Sequence, residues 1–189
     1  GLRSILRHDP DIIMVGEVRD LETASVTIQT SLTGHLVFST FHTNSSAGVV
    51  SRLVYMGVEP FLISSSVICV AGQRLLRKVC KFCKTPYQVP EDLLRRCHIK
   101  PVDMAAITSY AGKGCEQCHQ TGYYERQGAI EVLTVTSRIR DLILQKKSSA
   151  EIHQAAVEEG METLFENAVE IFKKGQTTLE EILRVTSPD

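Results

Sequence analysis

The chain has 189 residues, of which 43% are hydrophobic and 23% are charged, and its formal net charge is −1 at pH 7. This composition is typical of a globular protein and excludes wholesale disorder, a strongly basic nucleic-acid arm and a polyacidic tail. The most apolar stretch, residues 61–72, contains three serines and is about half as long as a membrane span, so no transmembrane helix is expected. No signal peptide is expected either, because the basic–apolar–small pattern of a leader is missing from the first residues.

The first part of the chain predicts a βαβ unit with a parallel sheet. It opens at Gly1 rather than at an initiator methionine, which indicates processing or a longer parent protein. Apolar runs of β-prone residues alternate with stretches of helical spacing, as parallel sheets require. In chain order, we predict a helix over 2–8, a strand over 12–15, a helix from the cap Asp20 to Leu32, a strand over 35–41 and a helix capped by Asn44 or Ser45 that ends at Met56.

The remainder is predicted to be a small insert followed by a helical tail. Pro60 is expected to begin a long helix that ends near Lys78. The segment 79–125 combines paired cysteines with many turn residues, so the predicted domains are 1–78, 79–125 and 126–189. The further predicted elements are helices over 91–97 and 102–108, a strand over 128–135, and helices over 137–145, 150–159 (capped by Ser149), 161–174 and 178–185 (with a Thr177–Glu180 capping box).

Two Cys-x-x-Cys pairs, separated by 31 residues, predict a metal site. A two-residue gap lets both thiolates of a pair face one ion, and two pairs complete a tetrahedral set of four sulfur ligands. Zinc is favoured over rubredoxin-like iron because it is the usual metal of such structural sites; two disulfides or four unrelated thiols are the alternatives. Cys69, expected in an apolar helix, and Cys97 should remain thiols. The predicted ligands are Cys80, Cys83, Cys115 and Cys118.

Polar residues follow both predicted strands of the first part. Glu17 comes just after the strand 12–15, and parallel sheets keep their active sites at the carboxyl ends of strands. His35 precedes the second strand and His42 follows it, so His42 should lie at the same sheet edge as Glu17 if the strands are neighbours. An acid there can hold Mg²⁺ or orient a water molecule, and an imidazole can contact a γ-phosphate. Taken singly, such residues are more often ordinary capped strand ends.

Five motifs in order resemble the C-terminal half of the ATPases that power type II secretion and type IV pilus assembly. Residues 1–20, ending in Ile-Met-Val-Gly-Glu-Val-Arg-Asp, resemble the Walker B region of this family, and residues 33–44 resemble its His box. The other matches are Gln73-Arg74-Leu75 with the tetracysteine insert, Gly128 with Glu131, and the ending 178–186. The insert favours the secretion and pilus-extension branches over the retraction branch, which lacks it.

The resemblance implies an α/β fold: a partial RecA-like parallel sheet with flanking helices, a tetracysteine zinc insert and a helical C-terminal tail. Members are cytoplasmic homohexamers, peripheral to the inner membrane, that hydrolyse ATP with Mg²⁺ and drive inner-membrane platform proteins. Glu17 corresponds to the Walker B catalytic carboxylate, and His35 and His42 to the His-box residues, with His42 as the nucleotide sensor. The arginines that match positions near the nucleotide or a subunit boundary, where ordinary salt bridges are the alternative, are Arg3, Arg7, Arg19, Arg52 and Arg126.

Two departures from the family pattern affect what this chain can do alone. The Walker A loop, G-x-x-x-x-G-K-[ST], does not occur in the sequence, so the chain by itself is expected to be inactive. Glu125-Arg126-Gln127-Gly128 stands where the family has Gly-Arg-x-Gly, which leaves the local turn open.

The alternative function is a non-catalytic zinc module that docks on an inner-membrane platform protein. A nucleic-acid binder is disfavoured by the net charge and by the aromatic content of 6%. One basic cluster could instead contact anionic lipid headgroups. It consists of Arg74, Arg77, Lys78, Lys81 and Lys84.

Overall fold

The computed structural model describes residue 8 and residues 10–100 and 107–187. The chain packs as two compact units: unit 1 comprises residues 1–72 and 132–161, and unit 2 comprises residues 73–131 and 162–189. The three consecutive domains expected from composition stay a prediction. The predicted helix over 2–8 lies outside the described residues except for His8, and the one over 102–108 lies outside them except for its last two positions.

The elements of the described residues alternate between strands and helices in the first part and are mainly helical at the end. In chain order they are β1 (Ile12–Val15), α1 (Leu21–Leu32), β2 (Leu36–Ser39), α2 (Ser46–Tyr55), α3 (Pro60–Ser66), β3 (Cys69–Val79), β4 (Lys84–Pro86), α4 (Glu91–Arg96), β5 (Tyr110–Gly112), β6 (Tyr123–Thr134), α5 (Ser137–Leu144), α6 (Ser149–Glu158), α7 (Leu164–Lys173) and α8 (Leu179–Val185).

Unit 1 contains the predicted βαβ unit. β1 and β2 pair in parallel, with Ile12 opposite Leu36 and Val15 opposite Ser39. α1 connects them, and the Asp20 carboxylate caps this helix by accepting a hydrogen bond of 2.8 Å from the Thr23 amide. The parallel α/β arrangement is therefore confirmed, although β2 is shorter than the predicted strand over 35–41.

The apolar core of unit 1 lies on one side of this sheet. Ile13 and Val15 of β1 are buried, whereas the alternate side chains Ile12 and Met14 are exposed, as the two-residue period of a strand requires. Helices pack with the buried side to form one apolar cluster. Its largest fully buried members are Ile63, Leu133, Ile139, Ile143 and Ile152.

The predicted helix from Pro60 to about Lys78 is wrong beyond Ser66. α3 ends at Ser66, and the next eleven-residue element is the strand β3. Three consecutive serines at the end of α3 turn their hydroxyls back to carbonyls of the preceding turn, which weakens a helix. The β-branched residues that follow, together with Gly72, favour an extended chain instead. Cys69 consequently begins a strand and is exposed, not part of a helical core.

Unit 2 contains the tetracysteine segment and the two last helices. β4 and β5 pair antiparallel, with Thr85 opposite Ala111. The short helix predicted over 91–97 is confirmed as α4. α7 and α8 cover the residues of β3 and β6 that belong to this unit, and their side chains form a second apolar cluster. Its most deeply buried members are Leu76, Ala129, Ala168, Phe172, Leu179 and Ile182.

α5 begins at Ser137 as predicted, but the starts of the last three helices differ from the predictions by one to three residues. Ser148, not Ser149, caps α6 and forms a capping box with Glu151. Thr163 caps α7, so this helix begins at Leu164 rather than at residue 161. Thr178 caps α8, and the hydroxyl of Thr177 instead donates to the Arg77 carbonyl oxygen. In each case the residue selected as the cap is the one whose hydroxyl reaches the amide three positions later.

Glu181 is a buried charge that links α8 to β3 in unit 2. Its side chain is fully buried, and it accepts hydrogen bonds from the Arg77 amide at 2.8 Å and from the guanidinium groups of Arg77 and Arg184 at 2.7–2.9 Å. Arg77 also lies over the Tyr123 ring, 4.2 Å from its centroid. A buried carboxylate needs such partners, because an unpaired charge is strongly destabilising.

No helix in the described ranges has both the length and the apolar character needed to cross a membrane.

The unfolding free energy should depend on pH through Glu181. Burial alone would raise its pKa, but hydrogen bonds from Arg184 and Arg77 outweigh this and lower the pKa of Glu181 from 4.5 to about 2. The ionised carboxylate therefore stabilises the fold above about pH 5, and this stabilisation is lost as the pH falls from 5 towards 2. We expect Glu181→Gln to destabilise the chain by about 3 kcal/mol at pH 7 and by much less at pH 2.

Urea unfolding of both variants between pH 2 and 7 measures this difference. Glu170→Gln is the matched control, because Glu170 forms a partly exposed pair with Lys173 and should contribute little. A constant difference between wild type and Glu181→Gln across the whole pH range would contradict the assignment.

Candidate active site and metal centre

Glu17 lies between a histidine and an arginine just after β1. Its Oε2 is 2.6 Å from the Arg19 guanidinium, and its Oε1 is 2.9 Å from Nε2 of His42. The hydrogen bond from Arg19 lowers the pKa of Glu17, outweighing partial burial, and the charges of Arg19 and His42 act in the same direction as that bond. The carboxylate is thus ionised at neutral pH and remains partly accessible to solvent.

The parallel pairing of β1 and β2 brings Glu17 and His42 together from positions 25 residues apart in the chain. Both residues follow the carboxyl ends of their strands, so the expectation that they share a sheet edge is confirmed. They line an open cavity of about 280 Å³ in unit 1. The complete lining is Glu17, Val18, Arg19, Phe41, His42 and Arg52.

Among the described residues, the predicted site residues His35 and Arg126 do not join this group. His35 lies at the opposite end of β2, where its Nδ1 is 3.1 Å from both the Thr33 hydroxyl and the Thr30 carbonyl oxygen. Arg126 is an exposed residue of β6 in unit 2. Arg3 and Arg7 lie outside the described residues. Of the three predicted arginines in the described part of the chain, Arg19 and Arg52 line the cavity.

Glu125 explains the departure from the family's Gly-Arg-x-Gly pattern. Its φ is +65°, in the left-handed region that glycine adopts without steric cost. Its carboxylate lies 3.0 Å from Nζ of Lys78, so an ion pair accompanies the strained backbone. The chain thus keeps the conformation that a glycine would favour at this position.

The four paired cysteines converge on one point in unit 2. Their sulfurs all lie within 4.8 Å of one another, and all six cysteines of the chain are free thiols. The closest separations are 3.6 Å for Cys115–Cys118, 3.8 Å for Cys80–Cys115 and 3.9 Å for Cys83–Cys118. Four ligands about 2.3 Å from a tetrahedral zinc ion would lie about 3.8 Å apart. The spacing fits a metal ion and is far longer than a disulfide bond.

The backbone around the second pair supports a thiolate. Burial opposes ionisation of Cys118, but hydrogen bonds from the amides of Cys115 and Gly122 lower its pKa to about 6. Two glycines also shape the backbone near this pair of cysteines. A Cβ on Gly112 would lie only 2.1 Å from the Gly122 carbonyl oxygen, and Gly122 has a φ of +76°. Both positions therefore require glycine.

Sequence reasoning did not single out Thr40 or the aromatic residues near the metal centre. Thr40 follows β2 directly and contacts the chain on both sides of Glu17. Phe82 and Tyr124 form an edge-to-face pair with centroids 5.6 Å apart, and they are 56% and 38% exposed. A hydroxyl residue at a strand end, and an aromatic residue inside a Cys-x-x-Cys pair, are the sequence signals that could have identified them.

Comparison with known proteins places the chain in one family. Residues 1–184 match the family described as "Type II/IV secretion system protein", and the chain belongs to this family. Its relatives include secretion and pilus assembly ATPases, as the sequence motifs predicted.

Three similar proteins illustrate the extent of the match. The chain is 47% identical over 187 residues to the type II secretion system protein E of Pseudomonas aeruginosa, which covers 98% of this chain and 36% of that protein. It is 46% identical over 186 residues to the type IV pilus assembly ATPase PilB of Thermus thermophilus, covering 98% of this chain and 21% of that protein. The crystal structure of the pilus retraction motor PilT with bound ADP is similar at a TM-score of 0.66 and 28% identity, covering 100% and 43% of the two chains. The chain spans less than half of each of these proteins.

Removing one sulfur ligand should abolish metal binding. We expect about one zinc ion per wild-type chain and almost none in Cys115→Ser, because three ligands no longer close the site. Residues 79–125 should then lose protection from hydrogen exchange, while the strand Ile12–Val15 in unit 1 stays protected. Elemental analysis and hydrogen exchange of protein purified under reducing conditions measure both effects.

Cys69→Ser is the control for this substitution, because Cys69 is exposed and lies outside the cluster of four sulfurs. It should bind zinc like the wild type. A metal-free wild type, or a Cys80–Cys83 disulfide under reducing conditions, would show that the metal assignment is wrong.

Proposed function

We propose that the chain is the C-terminal part of a hexameric secretion-type ATPase, which couples ATP hydrolysis to the assembly of a pseudopilus or type IV pilus for protein secretion. The observation that carries this proposal is the contact of Glu17 with His42 at the carboxyl edge of two parallel strands. Relatives of the chain include ATPases named for these machines, and the similar retraction motor has bound ADP.

In the proposed reaction, Glu17 is the Walker B carboxylate. Water attacks the γ-phosphorus, the bond to the β–γ bridging oxygen breaks, and the water protons pass to phosphate and solvent. An ionised Glu17 can accept a hydrogen bond from that water and orient it, or hold Mg²⁺, which neutralises phosphate charge when bound. Arg19 and His42, which contact the carboxylate in this structure, must then give up part of that contact to the water molecule or to Mg²⁺.

The cations around Glu17 suit an anionic substrate. Arg19 and Arg52 line the same cavity as His42, and guanidinium groups bind phosphate oxygens in a bidentate manner. We propose that His42 senses the γ-phosphate. His35 has hydrogen-bonding partners at the far end of β2, so it acts there as a structural residue instead.

The cavity at Glu17 is open and lies at the small end of the range for ligand sites. Its volume of about 280 Å³ is below the roughly 300–1,000 Å³ of sites that enclose a drug-sized ligand. We propose that the remaining contacts, above all a phosphate-binding Walker A loop, come from other parts of the parent protein and from neighbouring subunits. The positions of Arg3, Arg7 and Arg126 in the family pattern make them candidates for such contacts.

The tetracysteine site is proposed to hold one structural zinc ion. Four sulfur ligands leave no coordination position for substrate, which is typical of a structural and not of a catalytic zinc site. The ion would fix the short strands β4 and β5 and the cysteine loops, which bury little apolar surface of their own.

Inner-membrane platform proteins and further copies of the chain are the proposed partners, at the cytoplasmic side of the inner membrane. We also propose that the basic cluster of residues 74–84 contacts anionic lipid headgroups. Most residues of this cluster have intramolecular partners. Arg77 pairs with Glu181, Lys78 with Glu125, and Nζ of Lys84 donates to the Gly175 carbonyl oxygen. Lys81 lies over the exposed Phe82 ring, 5.2 Å from its centroid, and is the best placed to reach a lipid.

One observation favours the alternative function, a docking module without catalysis. The exposed pair of Phe82 and Tyr124 lies beside the metal ligand Cys83, where an aromatic surface could bind a platform protein. The two functions make different predictions for Glu17, which a docking module does not need.

Glu17→Gln in the complete parent protein should lower kcat for ATP hydrolysis by about 10² or more, because the amide keeps the shape but loses the charge that positions water or Mg²⁺. ATP binding should persist. Steady-state hydrolysis and equilibrium nucleotide binding measure the two effects. Glu22→Gln, an exposed change in the first turn of α1, is the control and should retain wild-type turnover. Near-normal hydrolysis by Glu17→Gln would assign the catalytic carboxylate to another residue, with Asp20 the next candidate.

The 189-residue chain alone should neither hydrolyse ATP nor bind it measurably. Glu17, Arg19, Arg52 and His42 form only one side of a triphosphate site, and a phosphate-binding loop supplies most of the affinity. Calorimetric titration with Mg·ATP checks this expectation, with the parent protein as the positive control. Saturable binding at micromolar ATP would require a complete site within these residues.

A further inference from the structure

The segment that contains Glu17 is held by one residue of the neighbouring strand end. Pairing of β1 with β2 ends at Val15 and Ser39, and residues 16–20 form neither helix nor strand. The next residue after β2, Thr40, continues the contact. Its hydroxyl donates to the Gly16 carbonyl oxygen at 2.6 Å, and its carbonyl oxygen accepts from the Val18 amide at 3.1 Å.

Gly16 and Val18 are the two neighbours of Glu17, so Thr40 fixes the backbone on both sides of the carboxylate. Val18 is held by a second interaction as well, because its side chain is buried in the apolar core of unit 1. Gly16 has no side chain, and a Cβ placed there would meet nothing within 4 Å. The hydroxyl of Thr40 is therefore the contact that restrains the Gly16 side of this turn.

Thr40 also sets the position of the other member of the pair. His42 is two residues further along the same segment, and it contacts Oε1 of Glu17 at 2.9 Å. Hydrogen bonds of Thr40 to the Glu17 segment thus hold the two strand ends at the separation that the carboxylate and the imidazole need.

We propose that Thr40 is a positioning residue, whose hydroxyl aligns the Glu17 carboxylate so that it can orient the attacking water molecule or hold Mg²⁺. This inference rests on the proposed function of Glu17. Thr40 itself contacts no substrate in this account; it acts through the peptide groups that flank Glu17. A small displacement of a catalytic group lowers kcat more than it weakens substrate binding. Substrate binding depends on the phosphate contacts, whereas the chemical step depends on the alignment of the catalytic group.

Three variants of the complete parent protein test the proposal. Thr40→Val removes the hydroxyl but keeps the branched shape, and kcat should fall roughly 10-fold while KM for ATP stays unchanged. Thr40→Ser keeps the hydroxyl and should retain most of the wild-type kcat. Thr27→Val is the matched control, because it removes a similar hydroxyl bond of 2.7 Å to the Thr23 carbonyl within α1. It should leave kcat and KM unchanged.

Hydrogen exchange tests the same proposal without depending on ATP turnover. The Val18 amide of the parent protein should exchange its hydrogen faster in Thr40→Val than in the wild type and Thr40→Ser, because the strand ends separate more often. Equal protection of Val18 in all three proteins would overturn the proposal.

Glu17→Gln, measured in the same series, separates the two possible failures. If Glu17→Gln hydrolyses ATP normally, the proposed catalytic role of Glu17 is wrong and the role of Thr40 in positioning it is wrong too. If Glu17→Gln is inactive but Thr40→Val has wild-type kcat, or Thr40→Ser is as impaired as Thr40→Val, Glu17 keeps its role and only the positioning role is overturned.

Discussion

The parallel pairing of β1 with β2 is the interaction on which the candidate active site depends. Four residue pairs, from Ile12–Leu36 to Val15–Ser39, place the carboxyl ends of both strands at one edge. Because the ladder stops there, Glu17 and His42 lie opposite each other at 2.9 Å on irregular chain. The crossover helix α1 makes a parallel arrangement possible, and the core beneath Ile13 fixes its register, since a shift by one residue would expose the buried face. The position of Glu17 relative to His42, which lies 25 positions later in the chain, is thus set by the pairing of the two strands and by the packing of the core.

Unit 2 relies on polar groups that need exact partners. Glu181 is buried and stays charged because two guanidinium groups and an amide surround it. The four cysteine sulfurs similarly converge within 4.8 Å of one another and fit one tetrahedral ion. Protonation of the carboxylate removes the interaction that joins Glu181 to its partners, and loss of the proposed metal ion would do the same for the cysteine loops.

The sequence allowed the fold class, the convergence of the four paired cysteines and the Glu17–His42 edge to be predicted, because each depends on a local pattern or a fixed spacing. The helix predicted to continue to Lys78 was wrong, since β propensity and partnering with β6 overrode the apolar spacing after Ser66. The cap of α8 is the threonine whose hydroxyl reaches the amide three positions later. Two neighbouring threonines, Thr177 and Thr178, made this choice ambiguous in the sequence. The Arg77–Glu181 pair joins residues 104 positions apart, and nothing in the local sequence marks it.

The most direct test of the account is a crystal structure of the complete parent protein with Mg²⁺ and a non-hydrolysable ATP analogue. Glu17 is predicted to lie near the γ-phosphate and to contact it through Mg²⁺ or through one water molecule. His42 is predicted to lie beside the same phosphate. The contact of Glu17 with Arg19 should be weakened or exchanged for a contact of Arg19 with the nucleotide. A nucleotide bound elsewhere, with Glu17 still paired to Arg19 and His42 and remote from every phosphate, would contradict the account.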